Sequence, residues 1–154
     1  MRSPAELTDS FRARGLKITP QRQLIFRLLH DNRGHPSAET VYAAAVVEMP
    51  AISLRTVYQT LNDLSAMGEI QTLDLGTGAA RFDPLTEEHH HLVCDRCGTV
   101  RDVTVEEAGS LRPAEALEGF TIGSVDVIFR GTCRECSSRP SGSATGLEGS
   151  PSEA

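Results

Sequence analysis

Four cysteines arranged in two C-x-x-C pairs place the strongest constraint on how this chain can fold. Cys94 and Cys97 form the first pair, and Cys133 and Cys136 form the second pair, with 35 residues between them. A tetrahedral zinc ion prefers four thiolates, and a two-residue spacer lets one turn supply two of them. The pairs therefore predict a closed, structural zinc site that ties the end of the chain to an earlier turn.

A disulfide pair and a thioredoxin-like redox motif are the alternatives for these cysteines. Residues 1–10 are mostly polar, and no run in the chain approaches the ~20 apolar residues of a membrane span. We therefore expect a cytoplasmic protein with no membrane partner, in which thiols stay reduced. Structural zinc is favoured because a reducing compartment disfavours disulfides and a redox C-x-x-C needs no duplicate.

The composition is that of a folded protein with a polar end. The hydrophobic content of 39% and the charged content of 23% are close to globular averages, so most of the chain is expected to bury a core. The 154 residues allow one ordinary domain or two small ones. Residues 137–154 are almost all small or polar, and they predict a disordered tail.

The acidic net charge of -6 argues at first against a nucleic-acid partner. Its distribution weakens that objection. Residues 1–83 carry nine Lys plus Arg and nine Asp plus Glu, whereas residues 84–154 carry six and twelve. The first half can thus present a local basic face although the whole chain is acidic.

Four helices are predicted before Pro84, each with Ser or Thr at its start: Ser3, Thr19, Ser37 and Ser53. The fourth helix has an apolar face that recurs at three and four residues until Gly68. Its opposite face is polar, which is typical of a recognition helix but also of any solvated helix. The predicted DNA contacts on this helix are Arg55, Thr56, Tyr58, Gln59 and Asn62.

Two short strands, residues 69–75 and 79–83, are predicted to form a hairpin through Gly76-Thr77-Gly78. Three helices followed by a hairpin indicate a winged helix-turn-helix. After Pro84 we expect strands at residues 100–105 and 121–130, with a helix around residues 106–117. The predicted fold class is α+β, with an N-terminal winged helix-turn-helix and a small C-terminal α/β domain.

Three consecutive histidines suggest a second metal site. Residues two apart on a strand share a face, so His89 and His91 can bind one ion while His90 faces away. Asp83 and Asp102 lie nearby in the sequence, and mixed imidazole and carboxylate ligands suit iron, manganese or zinc. A solvated surface run is the alternative interpretation. His30, predicted to lie at a helix end, and His90, predicted to be exposed, are not assigned to the metal.

The chain resembles the ferric uptake regulator family of bacterial metalloregulators from about Leu7 to Cys136. The resemblance rests on these motifs, besides the second cysteine pair: Thr19-Pro20-Gln21-Arg22, His35-Pro36-Ser37-Ala38, Ser53-Leu54-Arg55-Thr56-Val57-Tyr58, Arg81-Phe82-Asp83 and His89-His90-His91-Leu92-Val93-Cys94. It implies a homodimer that represses promoters when a regulatory metal is bound.

The resemblance also implies a ligand set, which matches the peroxide-sensing branch of the family. The implied regulatory ligands are His35, Asp83, His89, His91 and Asp102. Iron-uptake sensors usually have Glu where this chain has Asp83, and in peroxide sensors Fe²⁺ promotes oxidation of histidines that match His35 and His89. No histidine follows His91, so one structural zinc and one regulatory ion, Fe²⁺ or Mn²⁺, are implied per subunit.

These observations give a functional hypothesis: a peroxide-sensing, metal-dependent repressor that is not an enzyme and binds double-stranded operator DNA as a homodimer. We expect a DNA-binding domain over residues 1–83, a hinge over 84–88, and a dimerisation and metal-binding domain over 89–136. An iron-responsive repressor of metal uptake genes is the nearest alternative. A small zinc hydrolase or thiol oxidoreductase is a more distant one, because no substrate-pocket motif accompanies the ligands.

Overall fold

The computed structural model describes residues 1–76, 78–106, 111–114 and 118–138. Its first part is helical, and each of the four predicted N-caps is confirmed. The hydroxyls of Ser3, Thr19, Ser37 and Ser53 each accept a hydrogen bond from the backbone N–H three residues later. The helices are α1 (Pro4–Ala13), α2 (Pro20–Leu29), α3 (Ala38–Glu48) and α4 (Leu54–Ala66).

The four helices pack around one apolar core. Phe11 of α1 and Phe26 of α2 pack in a tilted arrangement with ring centroids 4.9 Å apart, and both are fully buried. α4 contributes Val57, Leu61 and Leu64, as its apolar spacing predicted. The face of α4 opposite these residues is left toward solvent, as expected of the second helix in a helix-turn-helix.

A short antiparallel hairpin follows α4 and forms the wing. Its strands are β1 (Gln71–Leu73) and β2 (Arg81–Asp83), with Thr72 opposite Phe82. Both are shorter than predicted. Asp74 leaves the ladder because its side chain accepts a hydrogen bond from the backbone N–H of Gly76, a local turn that competes with strand pairing. Thr77 lies outside the described residues.

The second part contains a three-stranded sheet in the order β4-β3-β5. Strand β3 (His90–Cys94) pairs antiparallel with β4 (Val100–Val103) and parallel with β5 (Ile128–Gly131). A five-residue helix, α5 (Arg134–Ser138), follows.

Three predictions for the second part need correction. The strand predicted over 121–130 is limited to β5, where the chain pairs with β3; described residues 121–127 form no ladder, although the Val127 carbonyl accepts a hydrogen bond from the His91 N–H at 3.1 Å. In the helix predicted around 106–117, described residues 111–114 are not helical, since Pro113 lacks an N–H and disfavours helix before it. Ser137 and Ser138, assigned to the tail, belong to α5. The rest of that helix, 107–110 and 115–117, and residues 139–154 lie outside the described part.

The wing packs against the three-stranded sheet. Leu75, just after β1, is 1% exposed and contacts Val93 and Val100. Arg130 of β5 donates to the carbonyl of Leu75 at 2.6 Å. Thus the two parts share a small apolar contact beside their connection. No helix in the described part is long and apolar enough to cross a membrane.

Candidate metal centres

Five side chains from separate segments converge at the junction of the two parts. His35 comes from the loop between α2 and α3, Asp83 ends β2, and Asp102 lies on β4. His89 precedes β3, and His91 lies within it. One donor atom from each residue lies within 4.8 Å of all the others. The structure therefore brings together all five of the regulatory ligands that the resemblance implied.

The spacing of the donor atoms is that of ligands around one cation. His89 Nε2 lies 2.7 Å from Asp83 Oδ2, and His35 Nε2 lies 2.8 Å from Asp102 Oδ1. Other pairs are longer, at 3.4 Å between His35 and Asp83, 3.5 Å between His91 and Asp83, and 3.7 Å between His89 and Asp102. Bonds of roughly 2.1 Å to a shared ion place neighbouring ligand atoms about 3 Å apart, so the observed distances fit.

The cluster is buried, and its polar atoms are not satisfied within the protein. The side chains of His35, Asp83, His89 and His91 are 0 to 9% exposed, and that of Asp102 is 23% exposed. Although these atoms are close, His35 Nε2, Asp83 Oδ2, His89 Nε2, His91 Nε2 and Asp102 Oδ1 make no hydrogen bond to the described residues. Buried polar groups without partners are costly, and a coordinated cation would satisfy all five at once.

The electrostatics of the cluster favour a charged carboxylate beside imidazole. Burial, the largest influence, raises the pKa of Asp83, but the adjacent His35 ring, a hydrogen bond from the Leu85 N–H and the charge of nearby histidines lower it overall. The pKa of His35 is raised: burial opposes the positive charge, but Asp83 and Asp102 outweigh it. Burial and the neighbouring histidines lower the pKa of His91. A proton on His35 would therefore compete with a metal ion for its nitrogen.

The two remaining histidines lie outside the cluster. His30 is the C-cap of α2, as predicted. His90 is only 4% exposed, so the prediction that it is exposed is wrong. Its Nδ1 accepts a hydrogen bond from the Val127 N–H at 3.3 Å, because Val127 lies beside β3 just before β5 begins.

The four cysteines form a second cluster, also as predicted. Their sulfurs lie within 4.8 Å of one another, and Cys97 Sγ is 3.8 Å from Cys133 Sγ. Zinc–sulfur bonds of about 2.3 Å in a tetrahedron place the sulfurs about 3.8 Å apart. All four cysteines are free, and 3.8 Å is far beyond a disulfide bond of about 2.05 Å. The donor set and its spacing therefore fit zinc.

Backbone groups around the cysteines stabilise thiolate. The N–H groups of Cys133 and Cys97 lower the pKa of Cys94 to about 6, and the Thr99 hydroxyl lowers the pKa of Cys97. The neighbouring Cys133 and Cys97 raise the pKa of Cys136 to about 12. Such hydrogen bonds are expected where thiolates serve as metal ligands, since N–H donors favour the anionic sulfur.

The residues predicted to contact DNA lie on the outer face of α4. Arg55, Tyr58, Gln59 and Asn62 are exposed there. Thr56 differs, because it is half-buried and its hydroxyl pairs with that of Ser53 at 2.9 Å. The sequence did not reveal that the Tyr58 hydroxyl donates to Glu39 of α3 at 2.6 Å, a contact made between two helices.

Two structural features of the His35 segment were also missed from the sequence. His35 has a left-handed backbone with φ of 45°. The side chain of Arg81 lies against its carbonyl, at 3.5 Å from Nη1. For the Arg81 contact, the only signal in the sequence was that Arg81 and Asp83 are two residues apart on a strand and therefore share a face.

Comparison with known proteins gives a consistent result. The model of the ferric uptake regulator family matches residues 13–130. The peroxide-responsive repressor PerR of Staphylococcus aureus is 33% identical over 132 residues, which are 85% of this chain and 89% of that protein.

Solved structures show the same fold. The ferric uptake regulator Fur of Helicobacter pylori superposes with a TM-score of 0.72 at 23% identity, covering 89% of this chain and 93% of that one. A zinc-bound manganese uptake regulator gives 0.66 at 28% identity, covering 86% and 99%. The family match extends over most of the described residues and includes both metal clusters except the second cysteine pair. The chain belongs to the ferric uptake regulator family.

Proposed function

We propose that this protein is a metal-dependent transcriptional repressor that binds operator DNA as a homodimer and responds to peroxide. One observation carries the proposal: five buried donor atoms, none hydrogen-bonded to the described residues, converge from both sides of the connection between the wing and the three-stranded sheet. The identity to the S. aureus peroxide-responsive repressor supports the choice of signal. We place the protein in the cytoplasm, where operator DNA is found and thiols are reduced.

The two clusters are proposed to have different roles. Cys94, Cys97, Cys133 and Cys136 would hold a structural zinc with four protein ligands and no open position. The histidine and aspartate cluster would hold the regulatory ion, Fe²⁺ or Mn²⁺, through nitrogen and oxygen donors.

The regulatory cluster can act as a switch because its ligands belong to both parts. His35 belongs to the part that carries the recognition helix, and His91 and Asp102 belong to the sheet. We take residues 84–88 as the hinge between a DNA-binding domain, 1–83, and a dimerisation and metal-binding domain, 89–136. An ion coordinated by both domains would favour one orientation of the first domain relative to the second. That orientation would set the spacing of the two recognition helices in the dimer, a population shift driven by metal affinity.

Peroxide would act on the ligands themselves. Bound ferrous iron would supply the electrons that reduce peroxide. His35 and His89 are the rings proposed to gain oxygen, and both present Nε2 to the cluster. Each oxidised ring is a poorer ligand, so the link between the two parts is released and the operator with it.

The DNA-facing surface is proposed to be the exposed face of α4. Arg55 is suited to phosphate or guanine, and Gln59 and Asn62 to base edges. Tyr58 reaches the same surface, with its ring position fixed by Glu39. Thr56 is proposed to act at the helix start, where Ser53 holds its hydroxyl.

The proposal is tested by measuring operator binding by fluorescence anisotropy with Mn²⁺ or Fe²⁺, before and after peroxide, followed by peptide mass spectrometry. We expect metal-dependent binding that peroxide abolishes only in the Fe²⁺ form, with one oxygen gained on His35 or His89. His30 serves as the internal control, because it lies outside the cluster. Loss of DNA binding only on iron removal, with no oxidised histidine, would instead support the iron-uptake alternative.

An enzymatic role is the alternative from another class. The donor atoms are buried, which limits access for a substrate, and the relatives named above are transcriptional regulators. Turnover of ester or disulfide substrates by the metal-loaded protein, without metal-dependent DNA binding, would overturn the proposal of a repressor that is not an enzyme.

A further inference from the structure

We infer that Arg81 is a positioning residue that holds His35 in place for metal binding and joins the His35 loop to the turn carrying the first cysteine pair. This inference rests on the proposed regulatory metal site. The side chain of Arg81 leaves β2 on the same face as Asp83 and lies between two loops of different parts of the molecule.

The guanidinium of Arg81 reaches one carbonyl on each side of the junction. Nη1 lies 3.5 Å from the carbonyl oxygen of His35, and Nη2 lies 3.4 Å from that of Gly98. These are long hydrogen bonds. Nε is buried and has no hydrogen-bond partner among the described residues, so the two carbonyl contacts are how this side chain is held. The planar fork of arginine suits two separate acceptors better than the single nitrogen of lysine.

The His35 backbone needs such support. Its φ of 45° lies in the left-handed region, which residues with a side chain adopt at an energetic cost and only when their surroundings hold them there. Strand β2 supplies two contacts to this loop, since the Phe82 N–H donates to the Pro36 carbonyl at 3.0 Å and Arg81 contacts the preceding carbonyl. The imidazole of His35, fully buried, then faces Asp83 and Asp102.

The other end of the fork is fixed by the cysteine turn. The Gly98 N–H donates to the Cys94 carbonyl at 2.8 Å, which closes the turn that carries Cys97. Gly98 has φ of 68°, and a Cβ there would lie 3.4 Å from Arg81 Nη2. A glycine therefore allows the turn, and the Arg81 guanidinium packs directly against it. Through Arg81, the loop of a regulatory ligand and the turn of the zinc cluster share one side chain.

Removing the fork should loosen His35 without removing any ligand. Groups that orient metal ligands typically contribute about 10–100-fold to metal affinity. Because both carbonyl contacts are long, we expect Arg81→Met to weaken Mn²⁺ binding by about tenfold, at the low end of that range. Zinc content should be unchanged, since no cysteine is altered.

The experiment titrates the full-length zinc-loaded protein with Mn²⁺ and follows the electron paramagnetic resonance signal of the free ion. Arg81→Met is compared with Arg130→Met, which removes the other arginine that joins the wing to the sheet; the Arg130 side chain contacts Leu75 and Asp95, neither of which is a regulatory ligand or adjacent to one. We expect a weaker affinity for Arg81→Met and an unchanged affinity for Arg130→Met. Equal affinities for wild type and Arg81→Met, or equal losses in both variants, would overturn the inference.

A second readout separates positioning of His35 from general loosening. Fe²⁺-loaded protein is treated with peroxide, and oxygen uptake is quantified at His35 and at His89. In Arg81→Met we expect the share on His35 to fall, because His89 does not depend on this side chain. An unchanged ratio alongside weaker binding indicates a merely structural role and contradicts the inference.

If Arg81→Met does not fold, Arg81→Lys keeps the charge and most of the stem while losing the fork, and we expect an intermediate affinity. Wild-type affinity in this folded variant would count against the inference. Failure of the proposed function gives a different result: wild-type protein itself would then bind no Mn²⁺ at the cluster and gain no oxygen on either histidine.

Discussion

The two clusters of this molecule differ in where their ligands come from. The four cysteines lie on two turns at one end of the three-stranded sheet, where Cys94 ends β3 and Cys133 follows β5. Because β3 and β5 pair directly, the sheet alone brings these turns together. The histidine and aspartate ligands instead come from a helix loop, the wing and the sheet. The cysteine cluster is completed within the second part of the fold, whereas the histidine and aspartate cluster forms only when both parts lie against each other.

This difference indicates what each ion can do. An ion held by the cysteines stabilises a sheet that already has both turns side by side, so its binding energy goes into folding. An ion held by the second cluster contributes only when the His35 loop lies against the sheet. Under the proposed function, its binding energy would select an orientation, and loss of one ligand would change that orientation without unfolding either part.

The largest effect should follow from breaking the cysteine cluster. Cys97→Ser removes one of four sulfurs, and we expect zinc content to fall from about one ion per chain to near zero, with loss of the cooperative melting of the sheet and of the dimer. Elemental analysis, size-exclusion chromatography and circular dichroism check this result. Ser138→Ala on α5 is the control. A variant that stays dimeric and folded without zinc would show that this cluster is not structural.

His35→Ala tests the other side of the comparison. We expect Mn²⁺ affinity to fall by more than about a hundredfold, because removing a donor costs more than removing a group that orients one. Zinc content, melting temperature and dimerisation should remain close to wild type, and metal-dependent operator binding should be lost. His30→Ala, at the end of α2, is the matched control. Metal-dependent DNA binding that survives in His35→Ala contradicts the switch.

Lowering the pH should also affect metal binding at the two clusters differently, but by less than the two substitutions above. The pKa of His35 is raised, with Asp83 and Asp102 outweighing burial, so below that pKa a proton competes with the metal. Mn²⁺ affinity should fall as pH drops through this raised pKa, by about tenfold per pH unit for each proton displaced. Isothermal titration at several pH values measures it. Zinc should be retained at a pH near 6, because a site of four thiolates binds zinc more tightly than imidazole and carboxylate donors bind Mn²⁺. If Mn²⁺ and zinc were lost over the same pH range, the expected difference between the two clusters would be contradicted.

The smallest effect is expected at a position outside both clusters. Tyr58→Phe removes the hydroxyl that donates to Glu39, so the ring on the recognition helix is less fixed. Operator affinity should fall by about fivefold, the scale of one solvent-exposed hydrogen bond. Mn²⁺ and zinc affinities should not change. Anisotropy titrations with operator and with unrelated DNA of the same length measure the effect, and altered metal binding would show that the DNA face and the clusters are not separable.

Sequence patterns predicted the parts of this fold that depend on local contacts. The four N-caps were readable because a Ser or Thr hydroxyl acts within three residues of its own helix. The cysteine cluster was readable because each pair defines its own turn. His89 and His91 follow the alternation of a strand, and Asp102 lies directly opposite His91 in the β3–β4 register.

Features that depend on distant segments could not be predicted in this way. His90 looked exposed because the alternation of a strand says nothing about residues 121–127, whose Val127 N–H meets its ring. The convergence of His35 with the strand ligands came from the family resemblance, since no spacing links residue 35 to residue 83. The Arg81 contacts likewise join segments 46 and 17 residues apart.

The most direct test of the account is a crystal structure of the Mn²⁺ and zinc form with anomalous diffraction recorded at the manganese edge. The account predicts a single manganese peak bonded at once to His35, from the part with the recognition helix, and to His91 and Asp102 on the sheet. A peak that is bonded to the sheet ligands while His35 lies too far away to coordinate it would contradict the account.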